Sequence, residues 1–183
     1  MKIAISGASG FIGKRLSAFL ELQGHQVVPL GRAMFRDNMS DQLIARLSQC
    51  EVVINLAGAT INRRWTTEYK KELYNSRINV TRRLVQTINS LEQKPQLFIS
   101  ASAVGYYPTE GCHDDYSQGR GEGFLSDLCC RWEAEAAKVH TDTRLVITRF
   151  GVVLSPDGGA FKELSRSLKL KMAAAIGPGN QYS

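Results

Sequence analysis

A chain of 183 residues is long enough for one domain with a substantial core and short for two. Hydrophobic residues make up 43% and charged residues 22%, an ordinary globular balance, and no apolar stretch approaches the roughly 20 residues of a membrane helix. Lys and Arg outnumber Asp and Glu, 23 to 17, but they are dispersed, and no aromatic residues interleave their nearest approach to a patch, Lys162, Arg166, Lys169 and Lys171, which argues against nucleic acid as a partner.

In chain order, residues 2–6 read as a short strand that runs from Met1 into a glycine turn, with no signal peptide before it. Residues 11–23 read as a helix with Ile12, Leu16, Phe19 and Leu20 on one stripe. A second strand is expected over 26–30. A polar stretch follows, then a helix over 40–48 with Ser40 as its N-cap. The third strand, 51–56, carries the unbroken apolar run Val52-Val53-Ile54 of a strand buried on both faces. A long helix is expected over 67–91 and a fourth strand over 96–101. A polar, glycine-rich loop over 109–123 precedes a helix over 124–139, a fifth strand over 144–148 and a last helix over 161–171, where Lys162, Arg166, Lys169 and Lys171 form the nearest thing to a basic face. Strands alternating with helices call for an α/β fold: a Rossmann-type, doubly wound parallel sheet in three layers. Cys50, Cys112, Cys129 and Cys130 lack zinc spacing, so no metal is expected, and the thiols suit a reducing, cytoplasmic setting.

The run Ser6-Gly7-Ala8-Ser9-Gly10-Phe11-Ile12-Gly13 follows a strand and opens a helix, the context in which such glycines hold a dinucleotide. Gly7 permits the tight turn, Gly10 lets backbone approach a pyrophosphate, and Gly13 lets the helix pack closely. The free N–H groups at the helix start would bind the anion. At the end of the second strand, Leu30-Gly31-Arg32-Ala33 has no carboxylate to receive the ribose hydroxyls. Arg32 is suited instead to a 2′-phosphate, with Lys14 and Arg15 adding charge, so NADP(H) is expected over NAD(H).

GASGFIG followed by Asn55-Leu56-Ala57-Gly58-Ala59 resembles the extended short-chain dehydrogenase/reductases. Arg64-Trp65, Ser76-Arg77-Ile78, Ser102-Ala103-Val104-Gly105-Tyr106-Tyr107, Trp132-Glu133-Ala134 and Gly158-Gly159-Ala160 narrow the resemblance to the nucleoside-diphosphate-sugar epimerase-like branch of the NAD-dependent epimerase/dehydratase family. The resemblance implies cofactor contacts at Gly7, Ser9, Gly10, Phe11, Ile12, Gly13, Arg32, Leu56, Ala57 and Gly58. It also implies that Ser100 and Ala101 end the fourth strand beside the nicotinamide. It implies a smaller C-terminal substrate part as well. Residues 1–183 are then expected to form a single NADP-binding domain, with about 151–183 the start of a substrate part that is cut short.

One departure bears on the chemistry. The superfamily's Tyr-x-x-x-Lys pair, in which tyrosine exchanges a proton and lysine lowers its pKa, is replaced by Leu125 and Cys129. Ser102 matches the family's serine, which binds the substrate oxygen, and Tyr106 and Tyr107 stand by as substitutes for the missing acid or as packing aromatics. Tyr116 and Arg120 imitate a Tyr-x-x-x-Arg, but Gly119, Gly121 and Gly123 argue against a helix that would align them. Cys129 and Cys130 read as structural thiols; His25, His113 and His140 show no acid partner and read as surface residues. Arg149 is placed either against substrate or cofactor or in an ion pair. The expected function is the nucleotide-binding part of an oxidoreductase or epimerase acting on a small carbonyl or sugar-nucleotide-like molecule. The alternative is a non-catalytic NADP(H)-binding regulatory or sensor protein. The 183-residue form is expected to bind nucleotide without useful turnover, and exposed apolar surface to favour self-association.

Overall fold

A computed structural model describes residues 1–36, 40–155, 158, 159, 161 and 165. The chain divides into two compact units, Met1–Arg149 and Phe150–Ser183. The first holds the strands β1 (Lys2–Ser6), β2 (Gln26–Leu30), β3 (Val52–Asn55) and β4 (Leu97–Ala103), and all but the last residue of β5 (Arg144–Phe150). They form one sheet in the order β2-β1-β3-β4-β5. β1 pairs in parallel with both β2 and β3, and β3 with β4. The Arg144 N–H donates to the Gln96 carbonyl and the Thr148 hydroxyl to that of Ser100, so β5 advances alongside β4 in the same direction. Because β1 has β2 on one side and β3 on the other, the order reverses at β1, and ligands of open α/β sheets bind beyond the carboxyl ends of strands at such a point.

The pleat sorts the side chains. Ile3, Ile5, Val52 and Ile54 point to one face, where Leu16 and Leu20 of helix α1 (Phe11–Leu22) cover them. Ala4, Val28, Val53 and Phe98 point to the other. There they meet Leu43 and Leu47 of α2 (Ser40–Leu47), Leu84, Val85 and Ile88 of α4 (Val80–Ser90), and Ala136 of α5 (Gly123–Ala136). Helix, sheet and helices make three layers. In the second unit, β6 (Leu154–Ser155) forms antiparallel bridges with Gly159 and Gly158.

Three expectations shift. The single helix over 67–91 is α3 (Thr67–Tyr74), a π-turn (Asn75–Asn79) and α4 in succession. The polar stretch after β2 holds a 3₁₀ turn, Arg32–Phe35. β4 and β5 each run two residues further than expected. Beyond Phe161 and Ser165, the helix over 161–171 and its Lys162, Arg166, Lys169 and Lys171 lie outside the described residues. No described helix is long and apolar enough to cross a membrane.

Candidate functional site

The glycine turn is constrained by contact. Gly7 leaves β1 with φ +73°, a left-handed backbone that favours glycine, and a Cβ there would lie 2.6 Å from the Leu56 carbonyl oxygen. A Cβ at buried Gly13 would run into the Gly7 carbonyl and sit 2.7 Å from the Ala8 Cα. The first turn of α1 is therefore pressed against the end of β1, and the carboxyl ends of β1 and β3 touch at Gly7 and Leu56. Gly10, the N-cap of α1, has no side chain to accept an N–H of the first turn; its own N–H donates to the Gly7 carbonyl at 2.9 Å. The first N–H groups of α1 are thus left for an anion, with Ser9 and Gly10 exposed beside Phe11 and Ile12. These features fit the diphosphate of a dinucleotide. Arg32 stands exposed at the start of the 3₁₀ turn, directly after β2. Leu56 and Ala57 are half-buried and Gly58 exposed on the segment leaving β3. A surface hollow of about 530 Å³ between α2 and α4, lined by Met34, Leu43, Arg82 and Gln86 among others, includes none of these turn residues.

Beneath the turn runs a chain of buried polar groups. The Ser6 hydroxyl donates to Asn55 Oδ1 at 2.6 Å, Asn55 Nδ2 donates to Thr81 Oγ1 at 2.7 Å, and Trp132 Nε1 donates to the same hydroxyl at 2.8 Å. Each polar atom of the chain is matched, as burial requires. It ties β1, β3, α4 and α5 together at the level of the site. Ser100 belongs to the same layer: its hydroxyl lies 3.5 Å from Asn55 Nδ2. Because β4 continues to Ala103, Ser100 and Ala101 do not end the strand; both are buried within it.

The three candidates for chemistry converge at the carboxyl ends of β4 and β5, around an ion pair. The Ser102 hydroxyl, at the end of β4, donates to Glu133 Oε1 of α5 at 2.5 Å. Arg149, near the end of β5, grips the same carboxylate with Nε and Nη2, both at 2.8 Å. That geometry is the strong, bidentate kind, and hydrogen bonding to Glu133 holds the Arg149 proton more firmly than usual. The free Nη1 donates to the Tyr107 hydroxyl at 2.7 Å, and the Tyr107 hydroxyl donates to the Asp114 carbonyl at 2.9 Å. The guanidinium lies over the Tyr106 ring, 3.8 Å from its centre. Tyr106 is the last residue of the 3₁₀ turn Val104–Tyr106, and its hydroxyl has no hydrogen-bond partner among the described residues. Arg149 is thus in an ion pair. Sequence reasoning did not single out Glu133 as its partner; only the neighbouring Trp132-Glu133-Ala134 run marked the position.

Leu125 and Cys129 sit one turn apart on α5, Cys129 buried, its thiol pushed up in pKa by desolvation. Tyr116 is 81% exposed, and Arg120 pairs with Asp127 at 3.3 Å, so the two do not act together. Of the three histidines, only His140 departs from the expected lack of an acid partner among the described residues. His140 has an acid partner two residues on, Asp142 at 3.3 Å, and His113 stacks flat on Tyr107 at 5.1 Å. Neither pairing leaves a trace in periodicity, because one is a short turn and the other a loop folding back.

Comparison with known proteins agrees with this geometry. Residues 3–179 match the NAD dependent epimerase/dehydratase family. The chain is 35% identical over 200 residues to the chloroplastic epimerase family protein SDR39U1 homolog of Arabidopsis thaliana, covering 100% of this chain and 57% of the relative. It is 33% identical over 189 residues to the Bos taurus epimerase family protein SDR39U1, covering 100% of this chain and 64% of the relative. The crystal structure of human epimerase family protein SDR39U1 (isoform 2) with NADPH superposes with a TM-score of 0.86 at 32% identity, over 98% of this chain and 63% of that one. The chain therefore spans 57% to 64% of the length of these curated relatives. On the family match, the glycine turn and the parallel sheet together, the chain belongs to the NAD dependent epimerase/dehydratase family.

Proposed function

We propose that the chain is the NADP(H)-binding domain of an oxidoreductase or epimerase acting on a small carbonyl or sugar-nucleotide-like substrate. The observation that carries this reading is the turn at Gly7–Gly13, shaped by backbone contact and left with open N–H groups at the switch of the sheet. Arg32 supports NADP(H) over NAD(H): it stands exposed after β2, the run Leu30-Gly31-Arg32-Ala33 holds no carboxylate, and the human relative was solved with NADPH. A bound nicotinamide supplies or accepts hydride. The chain's own residues handle the proton and the orientation. Tyr107 is engaged on both sides of its hydroxyl and Ser102 gives its proton to Glu133, so Tyr106 is the group assigned proton transfer to the substrate oxygen. Ser102 and Tyr107 then hold the corner in place.

The test is a titration with NADPH and with NADH, following reduced-nicotinamide fluorescence. NADPH should bind more tightly, and Arg32→Ala should weaken NADPH about tenfold or more while sparing NADH. Equal binding of the two, untouched by Arg32→Ala, removes the preference; binding of neither removes the reading. The sensor reading rests on one specific observation, Leu125 and Cys129 in place of an acid–base pair. Turnover of a carbonyl or sugar nucleotide by the full-length protein, lost in Tyr106→Phe, excludes it. Tight NADPH binding without turnover across a broad panel favours it. We also infer self-association of this chain through exposed apolar surface; a monodisperse monomer in light scattering counts against that.

A further inference from the structure

Between α3 and α4 the helical chain passes through the π-turn Asn75–Asn79. A π-turn inserts one residue into the helical ladder and re-aims its side chains, and such bulges concentrate at functional sites. Here it turns two consecutive residues on the segment that leaves β3. The Ser76 hydroxyl accepts the Ala59 N–H at 2.9 Å, and Arg77 Nη2 donates to the Ala59 carbonyl at 3.0 Å. Ala59 is clamped at both of its backbone polar atoms. The guanidinium lies against the neighbouring residue: a Cβ on Gly58 would be 2.9 Å from Arg77 Cζ. It also sits 5.4 Å from the centre of the Trp132 ring.

The charge of Arg77 has no carboxylate partner among the described residues. Arg82, Arg131 and Arg149 meet Glu135, Asp127 and Glu133. Arg77 meets only neutral oxygens: the carbonyls of Leu73 and Ala59 and the Ser76 hydroxyl. Desolvation loosens its hold on its proton. A cation drawn partly out of water without an anion destabilises the fold. Breaches of this kind are expected at functional sites, where a ligand offsets them. The segment it grips touches the phosphate turn, since Leu56 lies against Gly7.

We propose that Arg77 is a cofactor-binding residue whose charge is balanced by an anionic group of the bound dinucleotide at the Leu56–Ala59 segment, with the Ser76–Arg77 clamp on Ala59 fixing that segment's position. The proposal rests on the dinucleotide reading above. Arg77→Met removes both charge and donor; Arg77→Gln removes the charge and keeps a donor for the Ala59 carbonyl. Each is titrated with NADPH beside the wild type, and each is melted without nucleotide. Both variants should weaken NADPH binding about tenfold to a hundredfold, while Arg77→Gln keeps the nucleotide-free melting temperature or raises it. The wild-type affinity should also fall more steeply with salt than that of either variant. Wild-type affinity in a folded variant overturns the proposal. So does a loss of affinity confined to Arg77→Met and accompanied by a lower melting temperature, since that pattern is a clamp without an electrostatic role. Should Arg77→Met fail to fold, Arg77→Gln decides alone. If the wild-type chain binds no nucleotide, the dinucleotide reading fails and takes this inference with it; wild-type binding with an unchanged Arg77→Gln removes only the role of Arg77.

Discussion

The phosphate turn and the Glu133–Arg149 corner lie at the same carboxyl end of one sheet, yet the first is made of backbone and the second of side chains. At the turn, Gly7 and Gly13 matter for the atoms they lack, and the binding groups are N–H donors fixed by the start of α1. At the corner, Ser102, Tyr106, Tyr107, Glu133 and Arg149 come from β4, the 3₁₀ turn and the residue after it, α5 and β5; charged hydrogen bonds link Ser102, Tyr107, Glu133 and Arg149, and the guanidinium lies over the Tyr106 ring. Backbone sites tolerate changes of side-chain chemistry and fail on added volume. Side-chain sites tolerate volume at their margins and fail on lost charge.

The sharpest way to break the comparison is Gly13→Ala. Its methyl would meet Gly7 and Ala8 backbone that cannot give way. We expect about 3 kcal/mol of destabilisation or more, together with loss of NADPH binding, measured by thermal melting and titration. Near-normal values for both would show that the turn has more room than its geometry implies. Next in size is Glu133→Gln, nearly isosteric but uncharged. It leaves Arg149 partly buried without its carboxylate and frees Ser102. A loss of about 2 kcal/mol follows, with NADPH affinity nearly unchanged; a large fall in affinity would mean that corner and turn are one unit.

The smallest effect separates structural charge from both sites. Glu135 lies on the same helix as Glu133, and its carboxyl is held below the usual range chiefly by its hydrogen bond from Arg82, with Lys138 adding to it. A lowered carboxylate stabilises the fold above its unfolded pKa of about 4 and loses that contribution as pH falls through the folded value. Stability should therefore drop on acidification below about pH 4, and Glu135→Gln should flatten that part of the profile while losing about 1 kcal/mol at neutral pH. An unflattened profile would assign the acid sensitivity to other carboxylates.

The same contrast explains what could be read in advance. The turn was legible because its requirement is local: a strand, three spaced glycines and a helix within residues 2–22 state the whole geometry. The β/α order was legible for the same reason, apart from the π-turn. The extra residue of a π-turn leaves the apolar spacing of Leu73, Val80 and Leu84 nearly intact, so periodicity alone gives one helix. The corner was half legible. Ser102, Tyr106 and Tyr107 follow the strand expected over 96–101 and were found by position, as was Arg149 after the strand expected over 144–148, although Ser102 and Arg149 belong to β4 and β5 themselves. Their partner Glu133 is 31 residues from Ser102 and 16 from Arg149, and no spacing rule links such distances. Arg77 and Thr81 were invisible as site residues because what marks them, an unbalanced charge and a doubly bonded hydroxyl, exists only after folding.

The chain also carries its own optical gauge. It has two tryptophans, Trp65 at 37% exposure and Trp132 at 6%. A collisional quencher should strip the emission of Trp65 first and leave that of Trp132. The remaining indole is hydrogen-bonded to Thr81 and faces the Arg77 guanidinium at 5.4 Å. That cation contributes to the field the indole senses, so a ligand that balances the charge should shift the colour of a light source already built into the molecule.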